Sequence, residues 1–189
     1  MPVKTKELHI LCGLPGVGKT FFRKKFLQRT RDFFAYSTDD IIEFAAMSNR
    51  RGRTFNQMLS EAAVVASRIE AKRLKSALSR GDSVIFDQCN LQAEERRVLL
   101  ERMRPQGFSS VVCHYFRPPL DTEPYAKQEW GFRLRCMQKC GRAPEDPIMG
   151  FLQESAEEPT LQEGFSTVYV YDLWGREVNR RGKSLGVVH

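Results

Sequence analysis

No stretch of this 189-residue chain approaches the roughly 20 consecutive apolar residues that a membrane-spanning helix needs. The N-terminal Met-Pro-Val-Lys-Thr-Lys-Glu lacks the apolar segment of a secretory signal. The expectation is a cytoplasmic protein without membrane contact. Cysteine is sparse: Cys12, Cys89, Cys113, Cys136 and Cys140 are odd in number and scattered, which fits reduced thiols rather than a disulfide framework. Cys136 and Cys140 stand one helical turn apart, but no histidine or second cysteine pair is spaced to complete four zinc ligands. Internal repeats and low-complexity tracts are also missing. A hydrophobic content of 41% and a charged content of 28% argue against long disorder.

What is present in excess is positive charge. Thirty Lys and Arg against 23 Asp and Glu leave a net charge of +7. A basic balance favours a polyanionic partner but does not define one, because most basic clusters on helices end as solvated faces. The clusters are Arg23-Lys24-Lys25, Arg50-Arg51 with Arg53, Lys72-Arg73, Arg96-Arg97 and Arg180-Arg181 with Lys183.

The length suits one domain spanning 1–189. Short apolar runs at Glu7–Cys12, Phe33–Ser37, Ser83–Phe86, Val111–Phe116 and Thr167–Tyr171 read as strands. Helical patterns lie between them, the longest from about Asn56 to Leu78 with Met58, Ala62, Val65 and Ile69 on one stripe. Alternation of this kind predicts parallel βαβ units with right-handed crossovers. Residues from about 176 to 189 read as a loose basic tail, or as a short last strand without an evident place.

The strongest local signal is Gly13-Leu14-Pro15-Gly16-Val17-Gly18-Lys19-Thr20, a complete G-x-x-x-x-G-K-[ST]. It follows a predicted strand and opens a predicted helix, as the motif requires. Glycines allow a turn tight enough to aim several N–H groups at a phosphate chain, and the helix start adds its positive dipole end. Lys19 then reaches the β- and γ-phosphates of ATP, and the Thr20 hydroxyl ligates Mg²⁺.

In a parallel α/β sheet, ligands bind beyond the carboxyl ends of the strands. Asp39 and Asp40 follow the second strand and Asp87 follows the third. Phosphoryl transfer to an alcohol needs a carboxylate that accepts the hydroxyl proton, and a group near the metal. Asp39 suits the first role and Asp87 the second; Asp40 or Thr38 suits a helix N-cap. Within a lid region of about 125–143, Tyr125–Cys140 reads as a cation-rich helix carrying Lys127, Arg133, Arg135 and Lys139, with Arg142 just beyond its end. Arg135 and Lys139 share one face. Such a helix serves either as a lid over the transferring phosphoryl group or as a solvated basic face.

Four segments, in order, resemble the kinase domain of phage and animal polynucleotide 5′-hydroxyl kinases, within the P-loop kinases. They are GLPGVGKT at Gly13–Thr20, STDD at Ser37–Asp40, VIFDQCNLQAEERR at Val84–Arg97, and EEPTLQEGFSTV at Glu157–Val168. The resemblance implies a three-layer α/β fold, a five-stranded parallel sheet with helices on both faces and a helical lid. It also implies ATP and Mg²⁺ as cofactors, with Lys19 and Thr20 on the phosphates and metal. Asp39 would activate the 5′-hydroxyl, Asp87 and Asn90 would form the polar cluster after the third strand, and Arg135 and Lys139 would be lid cations on ATP. Three departures stand out. Ile42 stands where some phage members have an acceptor-binding arginine, so that either Arg50, Arg51 or Arg53 compensates or the acceptor preference differs. Lys139 takes the place of a second lid arginine, and no D-x-D-x-T phosphatase motif is present.

The expected activity is therefore transfer of the ATP γ-phosphate to the 5′-hydroxyl end of DNA or RNA, with nucleic acid as partner and no protein partner predicted. Two alternatives use the same motifs. One is a kinase for a small acceptor such as a nucleoside or sugar nucleotide; the other is a nucleotide-gated nucleic-acid-binding module without catalysis.

Overall fold

The computed structural model describes residues 5–48, 55–143 and 146–182. Six strands form one sheet in the order β2-β3-β1-β4-β5-β6. These are β1 (Glu7–Gly13), β2 (Phe33–Tyr36), β3 (Ser83–Asp87), β4 (Ser110–Phe116), β5 (Thr167–Tyr171) and β6 (Glu177–Gly182). Strands β1 to β5 run parallel, as the alternating pattern predicts. The five-stranded expectation needs one correction. Residues 177–182, read as loose tail or as a short last strand without a place, form β6, which pairs antiparallel with β5. The turn between them makes this possible. Asp172 accepts the backbone N–H groups of Trp174 and Arg176 on its carboxylate, and Gly175 takes the left-handed conformation at φ 73°.

Alternate residues of each strand face opposite sides, and each side is covered by helices. On one face Leu8, Ile10, Val84, Phe86, Cys113 and Val168 pack under Leu74 of α3 (Phe55–Ser79) and Leu99, Leu100 and Met103 of α4 (Ala93–Met103). On the other, Leu11, Ile85 and Tyr171 pack under Phe22 and Phe26 of α1 (Lys19–Arg29), Ala126 and Trp130 of α5 (Pro124–Lys139) and Leu152 of α6 (Asp146–Glu154). Helix α2 (Thr38–Ser48) follows β2 and lies against α3.

The stripe of α3 differs from the expected one. Ala66, Glu70, Leu74 and Ala77 are buried, whereas Val65 and Ile69 are exposed. The inward carboxylate of Glu70 explains the shifted phase: it lies near the backbone of Ser37, and Arg73 donates to its Oε1 at 2.8 Å. A polar residue placed inward to hold the start of α2 is invisible to a search for apolar periodicity.

Two of the segments that carry the family resemblance, Val84–Arg97 and Glu157–Val168, meet in a buried knot. Arg96 is fully buried, and its Nε and Nη2 donate to Glu163 at 2.7 and 3.0 Å. Its Nη1 donates to the carbonyls of Asn90, Leu91 and Glu157. Every face of this guanidinium is used, which is the condition for burying a charge without a large penalty.

Candidate active site

The phosphate loop joins β1 to α1 through residues whose conformations only glycine takes easily. A Cβ on Gly13, at φ 143°, would stand 2.5 Å from the Phe116 carbonyl oxygen. One at Gly16, at φ 78°, would press on Trp130 and Leu134 of α5 at 3.3 Å. Leu14 and Val17 turn their side chains into the core and anchor the loop, so they meet a ligand only through their backbone. Lys19 is folded inward, its Nζ donating to the Gly13 and Leu14 carbonyls at 2.7 and 2.9 Å.

Helix α1 has a divided inner face. Lys19, Phe22, Arg23 and Phe26 recur at helical spacing; the phenylalanines pack on the sheet while the cations point to the strand ends. Arg23 is 3% exposed and clamps two acidic positions. Its terminal nitrogens donate to both Asp40 oxygens, and its Nε lies 3.1 Å from Asp87 Oδ2, close enough for an ion pair though poorly aligned for a hydrogen bond. The sequence grouped Arg23 with a solvated basic cluster. Its place one turn after Lys19, on the same face, was the available signal. The expected cap changes with it: Asp40 is committed to Arg23, and Ser37 Oγ accepts the Asp40 N–H at 3.3 Å.

Asp39 lies beside this clamp and opens to the cleft. Burial by the surrounding walls raises the proton affinity of its carboxyl, and the charges of Asp87 and Asp40 raise it further against the pull of Lys19 and Arg23. Asp87 is buried, and desolvation raises its proton affinity too, opposed by Arg23, Lys19 and a hydrogen bond with Thr20. Asp87 and the phosphate-loop Thr20 both line the cleft, and they are the oxygen donors that would hold a divalent ion there. Among the described residues no cluster of three or more His, Cys, Asp or Glu could hold a metal. The pair therefore fits an ion completed by water and phosphate oxygens, the usual habit of Mg²⁺.

These groups line a cleft of about 640 Å³, with Gly16, Lys19, Thr20, Asp39 and Asp87 on one side. Phe132, Arg133, Cys136 and Met137 of α5, with Arg142 beyond it, form the other. Arg135 and Lys139, the expected lid cations, do not line it; both are exposed. Helix phase is the reason. Trp130 Nε1 donates to the Pro15 carbonyl at 2.9 Å, and Leu134 packs beside Gly16. With those two positions against the loop, Arg133 faces the cleft and Arg135 is turned about 200° away from it. Arg142 is held in place by Glu43 of α2, one turn after Asp39, at 2.7 Å.

One other expected residue does not line the main cleft. Asn90 adopts φ 46°, and its Nδ2 donates to the Leu11 carbonyl at 2.8 Å, so it fastens the loop after β3 to β1 rather than facing the cleft. Ile42 is buried in the core. Arg51 and Arg53 lie outside the described residues.

The family model for the AAA domain matches residues 8–123, which include the phosphate loop and both acidic strand ends. The chain belongs to this AAA-domain family. No curated protein sequence matches it significantly. Among solved structures it is similar to one from the PezAT toxin–antitoxin system of Streptococcus pneumoniae, at TM-score 0.64 and 14% identity, covering 94% of this chain and 72% of that one. It is similar to a fungal RNA kinase at TM-score 0.51 and 16% identity, covering 90% and 76%. A chain of the Pnkp1/Rnl/Hen1 RNA repair complex matches at TM-score 0.53 and 14% identity, over 80% of this chain but 43% of its own length. At these identities the likeness establishes the fold: a P-loop kinase-like domain, a class that implies nucleotide binding, usually with Mg²⁺. Among the described residues no helix is long and apolar enough to cross a membrane.

Proposed function

We propose that this protein transfers the γ-phosphoryl group of ATP to the 5′-hydroxyl of a nucleic acid strand. The observation that carries the reading is the meeting of Asp39 with Lys19 and the Thr20–Asp87 pair in one cleft. The acceptor oxygen attacks the γ-phosphorus, its proton passes to Asp39, and the bond to the β-phosphate oxygen breaks to release ADP. Lys19 and Arg142 neutralise the charge that grows on the phosphoryl oxygens. Mg²⁺ between Thr20 and Asp87 would supply further charge neutralisation on the phosphates. Asp39 stays in the useful range for a base because its raised proton affinity makes it a stronger acceptor than an ordinary aspartate.

A second cavity of about 390 Å³ shares Gly18, Phe21 and Arg133 with the cleft and suits the donor nucleoside. Its wall includes Trp174, over which the Arg133 guanidinium lies at 5.6 Å. The nucleic acid acceptor is supported by the net charge of +7, by the resemblance of the Glu157–Val168 segment, and by the exposed Phe21 and Phe132 at the cleft.

The test is transfer of labelled γ-phosphate to 5′-hydroxyl DNA and RNA oligonucleotides, with nucleosides and sugar nucleotides as parallel acceptors. Label on oligonucleotides with wild type but not with Asp39→Asn is the expected result. Preferential labelling of a small acceptor would replace the proposal with the small-molecule kinase reading.

A further inference from the structure

A third cavity of about 390 Å³ continues the cleft on the side away from the donor pocket. It shares Gln88, Cys89 and Leu152 with the cleft and runs on along α4 past Leu91, Val98 and Arg102. Its lining is mixed: Leu91 and Leu99 are buried beneath it, Val98 is half exposed at its edge, and Gln88 and Asn90 add polar groups near its mouth. Two charged residues line it. Glu95 is engaged at the start of α4, where its carboxylate accepts the Gln92 N–H and closes a capping box. Arg102 stands at the other end, its guanidinium 5.9 Å from the centre of the Phe86 ring, without an ion-pair partner among the described residues. It differs in this from Arg23, Arg96, Arg97, Arg117, Arg133 and Arg142, each of which is bound to a carboxylate.

We propose that this groove takes the second nucleotide of the acceptor strand, with Arg102 on the phosphate that joins it to the first; the inference rests on the acceptor class proposed above. The position follows from connectivity. With the donor nucleoside on the Trp174 side and the 5′-hydroxyl at Asp39, an acceptor longer than one nucleoside leaves the cleft by the opening at Gln88 and Cys89. A planar, amphipathic base fits walls that set Leu91, Val98 and Leu152 beside the amides of Gln88 and Asn90, and an unpaired guanidinium on an aromatic ring is a ready phosphate ligand. A single nucleoside leaves the groove empty, so the groove selects for strands.

The experiment compares kcat/KM for a 5′-hydroxyl nucleoside, its 3′-phosphate, a dinucleotide and a tetranucleotide, with wild type, Arg102→Ala and Val98→Asp. For wild type the expected rise from nucleoside to dinucleotide is about tenfold or more, the value of one good ionic contact, with little gain beyond it. Arg102→Ala should remove the step that comes with the phosphate, and Val98→Asp the step that comes with the second nucleoside. Both positions are exposed, so both variants should fold; circular dichroism checks this. An enzyme that labels oligonucleotides without regard to length, or whose length preference survives both substitutions, overturns the groove and leaves the acceptor class standing. Failure to label any oligonucleotide overturns both.

Discussion

One carboxylate, that of Asp40, receives both terminal nitrogens of Arg23, at 2.6 and 2.8 Å. The bond ties α2 to α1 and leaves Arg23 Nε beside Asp87, so one buried cation governs how closely three aspartates approach. Arg23→Ala strands Asp87 in the interior and should destabilise the fold by about 3 kcal/mol, the low end for breaking a buried pair because Asp40 is half exposed. Arg23→Lys restores charge without the two-pronged geometry and should recover only part of the loss. Urea unfolding of the two variants checks both.

Asp39→Asn should keep nucleotide binding and abolish transfer. In the wild type, transfer should fail as pH falls, with a midpoint above the ordinary aspartate value of 3.8. The sign for stability is opposite. A carboxyl whose proton affinity is raised by folding favours the folded state when protonated, so that contribution is lost as pH rises from 3.8 through the folded value. Asp39→Asn should therefore match or exceed wild-type thermal stability at neutral pH, measured by calorimetry. A marked loss of stability would mean the carboxylate holds the fold together rather than serving the reaction.

The phase of α5 separates the cations that face the cleft from those that do not. Arg142→Ala and Arg133→Ala should each lower kcat/KM by about 10²-fold or more, on the scale of lost transition-state charge contacts. Arg135→Ala and Lys139→Ala should cost less than tenfold if the packing of Trp130 and Leu134 on the phosphate loop persists during turnover. Steady-state kinetics of the four variants decides between helix phase and family position.

Beneath α1 lies a line of hydrogen-bonded groups on the sheet. Tyr171 and His114 Nδ1 are 3.1 Å apart, His114 Nε2 and His9 Nδ1 are 2.9 Å apart, and His9 Nε2 lies 3.3 Å from Glu7. One assignment satisfies every group: Tyr171 donates to His114, His114 to His9, and His9 to the Glu7 carboxylate. Burial lowers the proton affinity of both histidines, that of His114 well below 6.5. Because the unfolded chain takes up these protons first, the stability is fully present above about pH 6.5 and declines as pH falls toward the folded values. Unfolding free energy measured between pH 5 and 8 should show this slope, and His114→Phe should flatten it.

What was legible in the sequence depended on the distance over which the chemistry acts. The phosphate loop was legible because its turns, its lysine and its helix start lie within eight consecutive residues. The parallel sheet followed from alternating periodicity, and the convergence of Asp39 and Asp87 with the loop followed from the rule that strand ends share one edge. The last strand could not be placed because the turn that pairs it with β5 depends on Asp172, whose carboxylate binds N–H groups two and four residues on. The bond from Asn90 to the Leu11 carbonyl was not legible because a polar residue after a strand looks the same whether it faces a ligand or fastens a loop.

The sequence by itself determined the phosphate loop, the succession of strands and helices along the chain and the acidic strand ends, since these rest on contacts between near neighbours and on the two periods of backbone structure. Only the tertiary structure decided that Arg23 is buried between Asp40 and Asp87, that Arg133 and Arg142 rather than Arg135 and Lys139 face the cleft, and that His9 meets His114. Each of those pairings joins residues far apart in the chain or depends on the rotation of a helix about its own axis, and both are set by what packs against what.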